Sequence, residues 1–238
     1  MIPKKIHYIW LGGRNLTQLS HMCINTWKEK LPEYEIIEWN EKNLDLDKIA
    51  KENRFFAECR KRNLYAYMAD YLRLRILYKE GGIYMDTDIQ VVKPFEDLVD
   101  TDLLIGHASY GKIGTGFIGC EKGSPIIKRL LKFYEREIWD LELYIIPDIL
   151  EYVFKKEKYD LKIYPKEYFS PVPFDQDFRD EMVTENTRVI HWYEGSWKLN
   201  KHVAVFLSTK HIKSPVKKKY LVAKRTIGFY LRKYKIIK

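Results

Sequence analysis

No stretch of this chain approaches the roughly twenty consecutive apolar residues that cross a bilayer. The most apolar helix candidate, Tyr144 to Phe154, is interrupted by Pro147, Asp148 and Glu151. The opening Met1-Ile-Pro-Lys-Lys lacks an apolar signal core, so the expectation is a protein made and kept on the cytoplasmic side. Cysteine is scarce as well. Cys23, Cys59 and Cys120 are odd in number and far apart. That excludes a disulfide framework or a cysteine metal finger and suits reduced thiols. Internal repeats and low-complexity linkers are missing before residue 210. One domain with an appendage is therefore expected of 238 residues that are 46% apolar.

Acidic residues are missing from one end. None of the 33 Asp and Glu follows Glu194, whereas thirteen of the 42 Lys and Arg do. The residues up to 194 hold 29 basic against 33 acidic groups, so the body is mildly acidic and the formal charge of +9 belongs to the tail. A nucleic-acid-binding main domain is not expected from that balance.

What is present has the rhythm of an open α/β sheet. Lys5 to Leu11 reads as a strand buried on both faces and ending in Gly12-Gly13. Leu19 to Lys30 reads as a helix, Tyr34 to Trp39 as a strand, and Phe55 to Lys79 as one long helix stopped by Gly81-Gly82. A strand from Ile83 to Val92 follows and stops before Pro94. Short strands at Leu103–Ile105 and Phe117–Ile118 flank a glycine-rich run, Gly111 to Gly119. Ser124-Pro125 opens a helix of about fifteen residues. Tyr168 to Phe174 reads as an irregular loop, and Arg188 to His191 as a last strand. Ligands of such sheets gather at the carboxyl ends of the strands, where Gly12-Gly13 and Asp86-x-Asp88 fall.

An Asp-x-Asp pair is by itself a weak signal, since two solvated loop acids look the same. Here it follows Gly-Gly and an apolar run. In a continuous strand, Asp86 and Asp88 share a face with Tyr84 and Gln90. Two acids at the end of a buried strand call for a cation to neutralise them. Asp70 and Arg73 lie three apart on one helix face, either as a surface ion pair or as a clamp for polar ligand groups. Trp10 is either a core residue or a stacking platform.

The run from Ala66 to Asp88, with Asp70, Arg73, Gly81-Gly82, Tyr84, Asp86 and Asp88, resembles the Asp-x-Asp sugar-binding region of glycosyltransferase family 32. More distantly it is similar to the glucosyltransferase domains of clostridial toxins. Ile2 to Gly13 resembles the family's first strand, and Ile190 to Trp197 its closing His…Ser-Trp motif. Two departures are visible. Family members often show His-His-Trp where this chain has His191-Trp192-Tyr193, and small hydroxyl residues are frequent at the position of Ala69.

The resemblance implies a GT-A nucleotide-sugar-binding fold with a mainly parallel open sheet flanked by helices. It also implies a nucleotide-sugar donor, with uracil the expected base and guanine used by mannosyl members, and Mn²⁺ or Mg²⁺. Carried onto this chain, Trp10 stacks on the base while the Ile9 backbone reads its edge. Asp70 and Arg73 hold the transferred sugar, and Tyr84 and Asp86 contact sugar and ribose. Asp88 and His191 bind the metal, with Asp86 beside them, and Ser196 and Trp197 bind the diphosphate. Asp70, Arg73 and Asp86 are the catalytic candidates. The family is retaining.

The function expected is transfer of a hexosyl or N-acetylhexosaminyl group to a capsule- or lipopolysaccharide-type glycan or a lipid-linked acceptor. Its rivals are a toxin-like effector that glycosylates a host protein, which the short chain disfavours, and an inactive glycan- or membrane-binding module. Residues 1–209 form the expected catalytic domain. Residues 210–238, with eleven basic residues among Leu221, Val222, Ile227 and Leu231, form a partly amphipathic tail. That tail suits an anionic membrane surface, which would give a peripheral place on the cytoplasmic face. The alternative is a solubilising or self-associating tail.

Overall fold

The computed structural model describes residues 1–195 and 201–233. Its strands are β1 (Lys5–Ile9), β2 (Glu35–Trp39), β3 (Gly82–Met85), β4 (Ile89–Val91), β5 (Leu103–Leu104), β6 (Phe117–Cys120) and β7 (Val189–His191). The helices are α1 (Gln18–Lys30), α2 (Leu46–Glu52), α3 (Arg54–Arg60), α4 (Tyr65–Glu80), α5 (Pro125–Glu135), α6 (Ile146–Glu157), α7 (Lys166–Phe169), α8 (Lys201–Thr209) and α9 (Pro215–Lys233). The main sheet has the order β2-β1-β3-β6-β5. β1 is parallel to β2 and β3, and β6 is antiparallel to both β3 and β5. Four of the five strands therefore point one way, so the sheet is mainly parallel and flanked by helices, as expected. β4 and β7 form a separate antiparallel pair.

Strand alternation sends neighbouring residues to opposite layers. Ile83 and Met85 of β3 join Ile6, Tyr8 and Trp27 on the α1 side, whereas Tyr84 joins Phe55, Leu72 and Phe133 on the side of α3 to α6. The buried His7 of β1 ties the layers together. Its Nδ1 accepts from Trp39 Nε1 at 3.1 Å, which leaves Nε2 to donate to the Gly81 carbonyl at 2.8 Å. Gly81 and Gly82 have φ of 66° and 92°. A Cβ on Gly82 would lie 2.7 Å from the Lys5 carbonyl oxygen, so the turn from α4 into β3 requires glycine there.

Several expected elements differ. The single helix from Phe55 to Lys79 is two, α3 and α4, because Asn63 adopts a left-handed φ of 54° between them. The strand from Ile83 to Val92 is also two, β3 and β4, in different sheets, with the acids on a turn closed by Ile89 N–H donating to Asp86 O at 3.1 Å. Gln90 does not join those acids; it accepts from Trp192 Nε1 at 3.1 Å. α5 stops at eleven residues, capped at its start by Ser124. Pro147 begins α6 instead of breaking it, since the first turn needs no proline N–H. Tyr168 and Phe169 end the short α7, and the irregular path starts at Ser170. Helix α2, capped by Asp45, has no counterpart in the sequence reading.

All three cysteines are buried and free. Among the described residues, no helix is long and apolar enough to cross a membrane.

Candidate active site

The site forms where β3 ends and the chain turns towards β4. Tyr84, the inward residue of β3, is buried beneath the Arg73 guanidinium, which lies 4.4 Å over its ring. The Tyr84 hydroxyl donates to Asp86 Oδ1 at 2.8 Å. Arg73 reaches three partners from the middle of α4: Asp70 at 3.0 Å, Asp86 at 3.4 Å, and the Thr115 carbonyl, to which it donates at 2.7 Å. With relative exposures of 1% for Asp70 and 4% for Arg73, this pair is not a solvated surface ion pair. Burial pushes the Asp70 carboxyl up to about 7, against the pull of the Arg73 guanidinium.

Asp88 faces β7. Its Oδ1 lies 3.2 Å from His191 Nε2, and its Oδ2 accepts from the Glu194 N–H at 2.9 Å. Burial works to raise Asp88, but the imidazole and the backbone N–H outweigh it and hold the carboxyl below its ordinary value. Burial likewise works to lower His191, yet Asp88 and Asp86 hold it above its ordinary value. Each group stabilises the charged form of the other.

Ligand atoms of Asp86, Asp88 and His191 lie within 4.8 Å of one another. Two carboxylates and an imidazole are a donor set that a divalent cation fits. The backbone leaves room beside them. A Cβ at Gly116 would stand 2.8 Å from His191 Cε1 and 2.9 Å from Asp86 Oδ2. The same residue fixes the turn, because its carbonyl accepts the Asp86 N–H at 2.8 Å. Gly116→Ala should therefore push a methyl group into the space between Asp86 and His191. The expected result is loss of Mn²⁺-dependent thermal stabilisation while the circular dichroism spectrum is kept. Unchanged Mn²⁺ stabilisation would show that nothing binds in that space.

Asp70, Arg73, Tyr84, Asp86, Asp88 and His191 thus converge as a group. Ile9 and Trp10 sit at the carboxyl end of β1, where the Trp10 N–H donates to the Trp39 carbonyl at 2.9 Å and Trp10 Nε1 donates to Arg14 O at 2.6 Å. Among the described residues, neither is hydrogen-bonded to the acidic group. Ser196 and Trp197 lie outside the described residues.

Two contributors were not singled out from sequence, whereas Thr115 and Gly116 fall in Gly114–Gly119, the part of the glycine-rich run from which contacts to the donor are expected. The Tyr193 ring stacks on His191 at 3.9 Å and its hydroxyl meets Ser170 Oγ at 2.5 Å, so it orients the imidazole. Tyr134 of α5 is buried against Tyr71 of α4, within reach of the charges of Asp70 and Arg73, and its hydroxyl has no hydrogen-bond partner among the described residues. Nothing in the sequence marks it.

Residues 18–105 match the family model of the glycosyltransferase sugar-binding region containing the DXD motif. Among curated proteins, the chain is similar to "Subversion of eukaryotic traffic protein A" of Legionella pneumophila. They are 32% identical over 179 residues, covering 63% of this chain and 27% of that protein. It is also similar to inositol phosphoceramide mannosyltransferase 3 of Schizosaccharomyces pombe, 26% identical over 55% of this chain and 36% of that protein. A "Toxin" of Photorhabdus asymbiotica is 27% identical over 77% of this chain but only 8% of its own length. The chain therefore spans about a third or less of these relatives. Among solved structures, the PaToxG glycosyltransferase shares the fold with a TM-score of 0.53 and 23% identity, over 66% of this chain and 70% of that one.

Proposed function

We propose that this chain, whose residues 18–105 carry the glycosyltransferase sugar-binding region with its DXD motif, is a metal-dependent retaining glycosyltransferase. It moves a hexosyl or N-acetylhexosaminyl group from a nucleotide sugar, with UDP the expected carrier, to a glycan or lipid-linked acceptor. The observation that carries this reading is the convergence of Asp86, Asp88 and His191 beside the buried Arg73–Asp70 pair. A cation site and a buried polar clamp then meet at one strand end.

Asp88 and His191 would hold Mn²⁺ or Mg²⁺, with Asp86 completing the set. When bound, the metal supplies a positive charge for the diphosphate oxygens and for the charge that develops as the nucleoside diphosphate leaves. Arg73 and Asp70 orient the sugar hydroxyls, and Tyr84 keeps Asp86 aimed at sugar and ribose. Trp10 stacks on the base and the Ile9 backbone reads its edge, while Ser196 and Trp197 bind the diphosphate. No carboxylate is assigned as a covalent nucleophile. The C1–phosphate oxygen bond breaks as the acceptor oxygen bonds to C1 on the same face, and the acceptor proton passes to the departing phosphate oxygen. The product keeps the donor's α configuration.

Residues 1–209 make the catalytic body and residues 210–238 the basic tail of this proposal. On α9, Val216, Tyr220 and Ile227 are exposed among Lys217, Lys219 and Lys224, a mixture that suits the anionic cytoplasmic face of a membrane. Replacing those three apolar residues by serine should abolish co-flotation with anionic liposomes, and undiminished flotation removes the membrane role. A second reading keeps the same donor chemistry and changes the acceptor to a protein. Its support is the toxin and the traffic-subverting protein among the relatives, set against a relative whose name specifies a phosphosphingolipid.

The experiment for the transferase reading is thermal stabilisation by nucleoside diphosphates with and without Mn²⁺. UDP or GDP should raise the melting temperature, and the metal should enlarge the rise. If no nucleoside diphosphate has an effect under either condition, the reading fails.

A further inference from the structure

A second cleft, of about 800 Å³, lies between α3, the start of α4 and the C-terminal helices. That volume falls within the usual range for small-molecule sites. Its walls carry four cations, Arg54, Arg62, Lys210 and Lys218, and one acid, Glu58. Glu58 is already paired with Arg62. Among the described residues, no carboxylate pairs with Arg54, Lys210 or Lys218, so the cleft has an unneutralised positive charge. Lys210 is 6% exposed, and its ammonium donates to the Leu141 carbonyl at 2.6 Å. Burial drives its pKa down to about 8. An anion in the cleft would relieve the cost of keeping that ammonium charged.

The remaining wall is apolar: Leu64, Trp139, Val205, Phe206 and Val222. The aromatic rings are not free for stacking on both faces. The Arg54 guanidinium covers Trp139 at 4.3 Å, and that of Arg62 covers Phe206 at 4.1 Å. This disfavours a nucleobase and favours an aliphatic chain lying beside a compact anion. Position adds to the argument. Leu64 precedes Asp70 by six residues, which is about 9 Å along the axis of α4. One helix thus connects this cleft to the sugar clamp.

We propose that the cleft binds an amphipathic phosphate ester, with the phosphate on Arg54, Lys210 and Lys218 and its hydrocarbon chain against Leu64, Phe206 and Val222. Only in naming this ligand the acceptor does the inference rest on the transferase reading. The acceptor is then a lipid phosphate or lipid diphosphate whose phosphorylated end sits in this cleft.

The test is calorimetric titration of the full chain with farnesyl phosphate below its micellar concentration. Farnesol and inorganic phosphate separate the contributions of chain and anion. Farnesyl phosphate should bind saturably, at least tenfold more tightly than either. The double change Arg54→Ser, Lys218→Ser should weaken it at least tenfold, while Lys224→Ser, on the exposed part of α9, should not. Lys218→Glu alone keeps the test valid if loss of the Arg54–Trp139 stack impairs folding. Unchanged affinity in Lys218→Glu overturns the site. Equal binding of inorganic phosphate or of farnesol overturns its amphipathic character. Metal-dependent donor hydrolysis, measured on the same proteins, should be unaffected by these changes. Its absence from the wild-type chain would overturn the transferase reading while leaving the lipid-phosphate site in place.

Discussion

Replacing Asp88 by asparagine should leave a folded protein that no longer hydrolyses its sugar donor. Asparagine keeps the shape of the side chain and an oxygen that can accept the Glu194 N–H, now 2.9 Å away. The backbone carbonyl of residue 88 still accepts the Trp192 N–H, so the link between the turn and the end of β7 survives. What is lost is the charge, and with it both the proposed metal ligand and the carboxylate that holds the His191 imidazole above its ordinary pKa. Charge stabilisation by a bound metal is worth several kcal/mol, and each ~1.4 kcal/mol is tenfold in rate, so the loss should reach roughly 10³-fold. Metal-dependent release of sugar is the measurement, with circular dichroism as the folding control. Near-normal hydrolysis by Asp88→Asn would sink the assignment of Asp88 as a ligand.

The second large effect belongs to Arg73→Met, and it should appear in stability as well as activity. Arg73 is the buried cation between Asp70 and Asp86, and it also satisfies the Thr115 carbonyl. Methionine fills much of the volume but leaves Asp70 buried without its cation. Breaking a buried pair from one side costs about 3–5 kcal/mol. For a chain of this size that lowers the melting temperature by roughly 10 °C. The double variant Asp70→Asn, Arg73→Met also removes the buried carboxyl left without its partner, so it should recover much of the stability and none of the activity. This pattern separates a buried pair kept for ligand binding from one kept for folding. If the double variant is as unstable as the single one, the carboxylate of Asp70 is not what Arg73 neutralises. If it regains activity, the pair is not a sugar clamp.

The parts of the site that could be read from sequence are those whose chemistry is unusual in context. Asp86, Asp88 and His191 are polar groups attached to short apolar runs, and the Asp70/Arg73 spacing fixes a shared helix face whatever the helix packs against. Gly81-Gly82 could be read because a positive φ leaves few alternatives to glycine. Strand alternation predicts that the acids converge, but it is not what brings them together. A continuous strand would have aligned them by alternation, whereas a turn at Asp86 places them and the last strand brings His191 across. The break between α3 and α4 did have a signal, since the exposed Asn63 is of a residue type that takes a left-handed φ at helix ends more readily than most, but the apolar stripe running on through α4 masked it.

The sequence by itself determined most of the order of strands and helices, α2 and the breaks at Asn63 and Asp86 apart, together with the position of the acids at a strand end and the separation of an acidic body from a basic tail. These depend on local periodicity, glycine conformation and the sign of side-chain charge, which act over a few residues. Tertiary structure alone decided that Arg73 serves both Asp70 and Asp86, that Gly116 keeps open the space beside His191, and that Tyr193 and Tyr134 belong to the site. It also decided that three cations with no carboxylate partner among the described residues line one cleft with apolar walls. Each of these depends on contacts between elements far apart in the chain, and burial gives a charge or a missing Cβ its energetic weight. The Asp70–Arg73 pair shows the division plainly: its spacing is a property of the helix, whereas its strength comes from the absence of water.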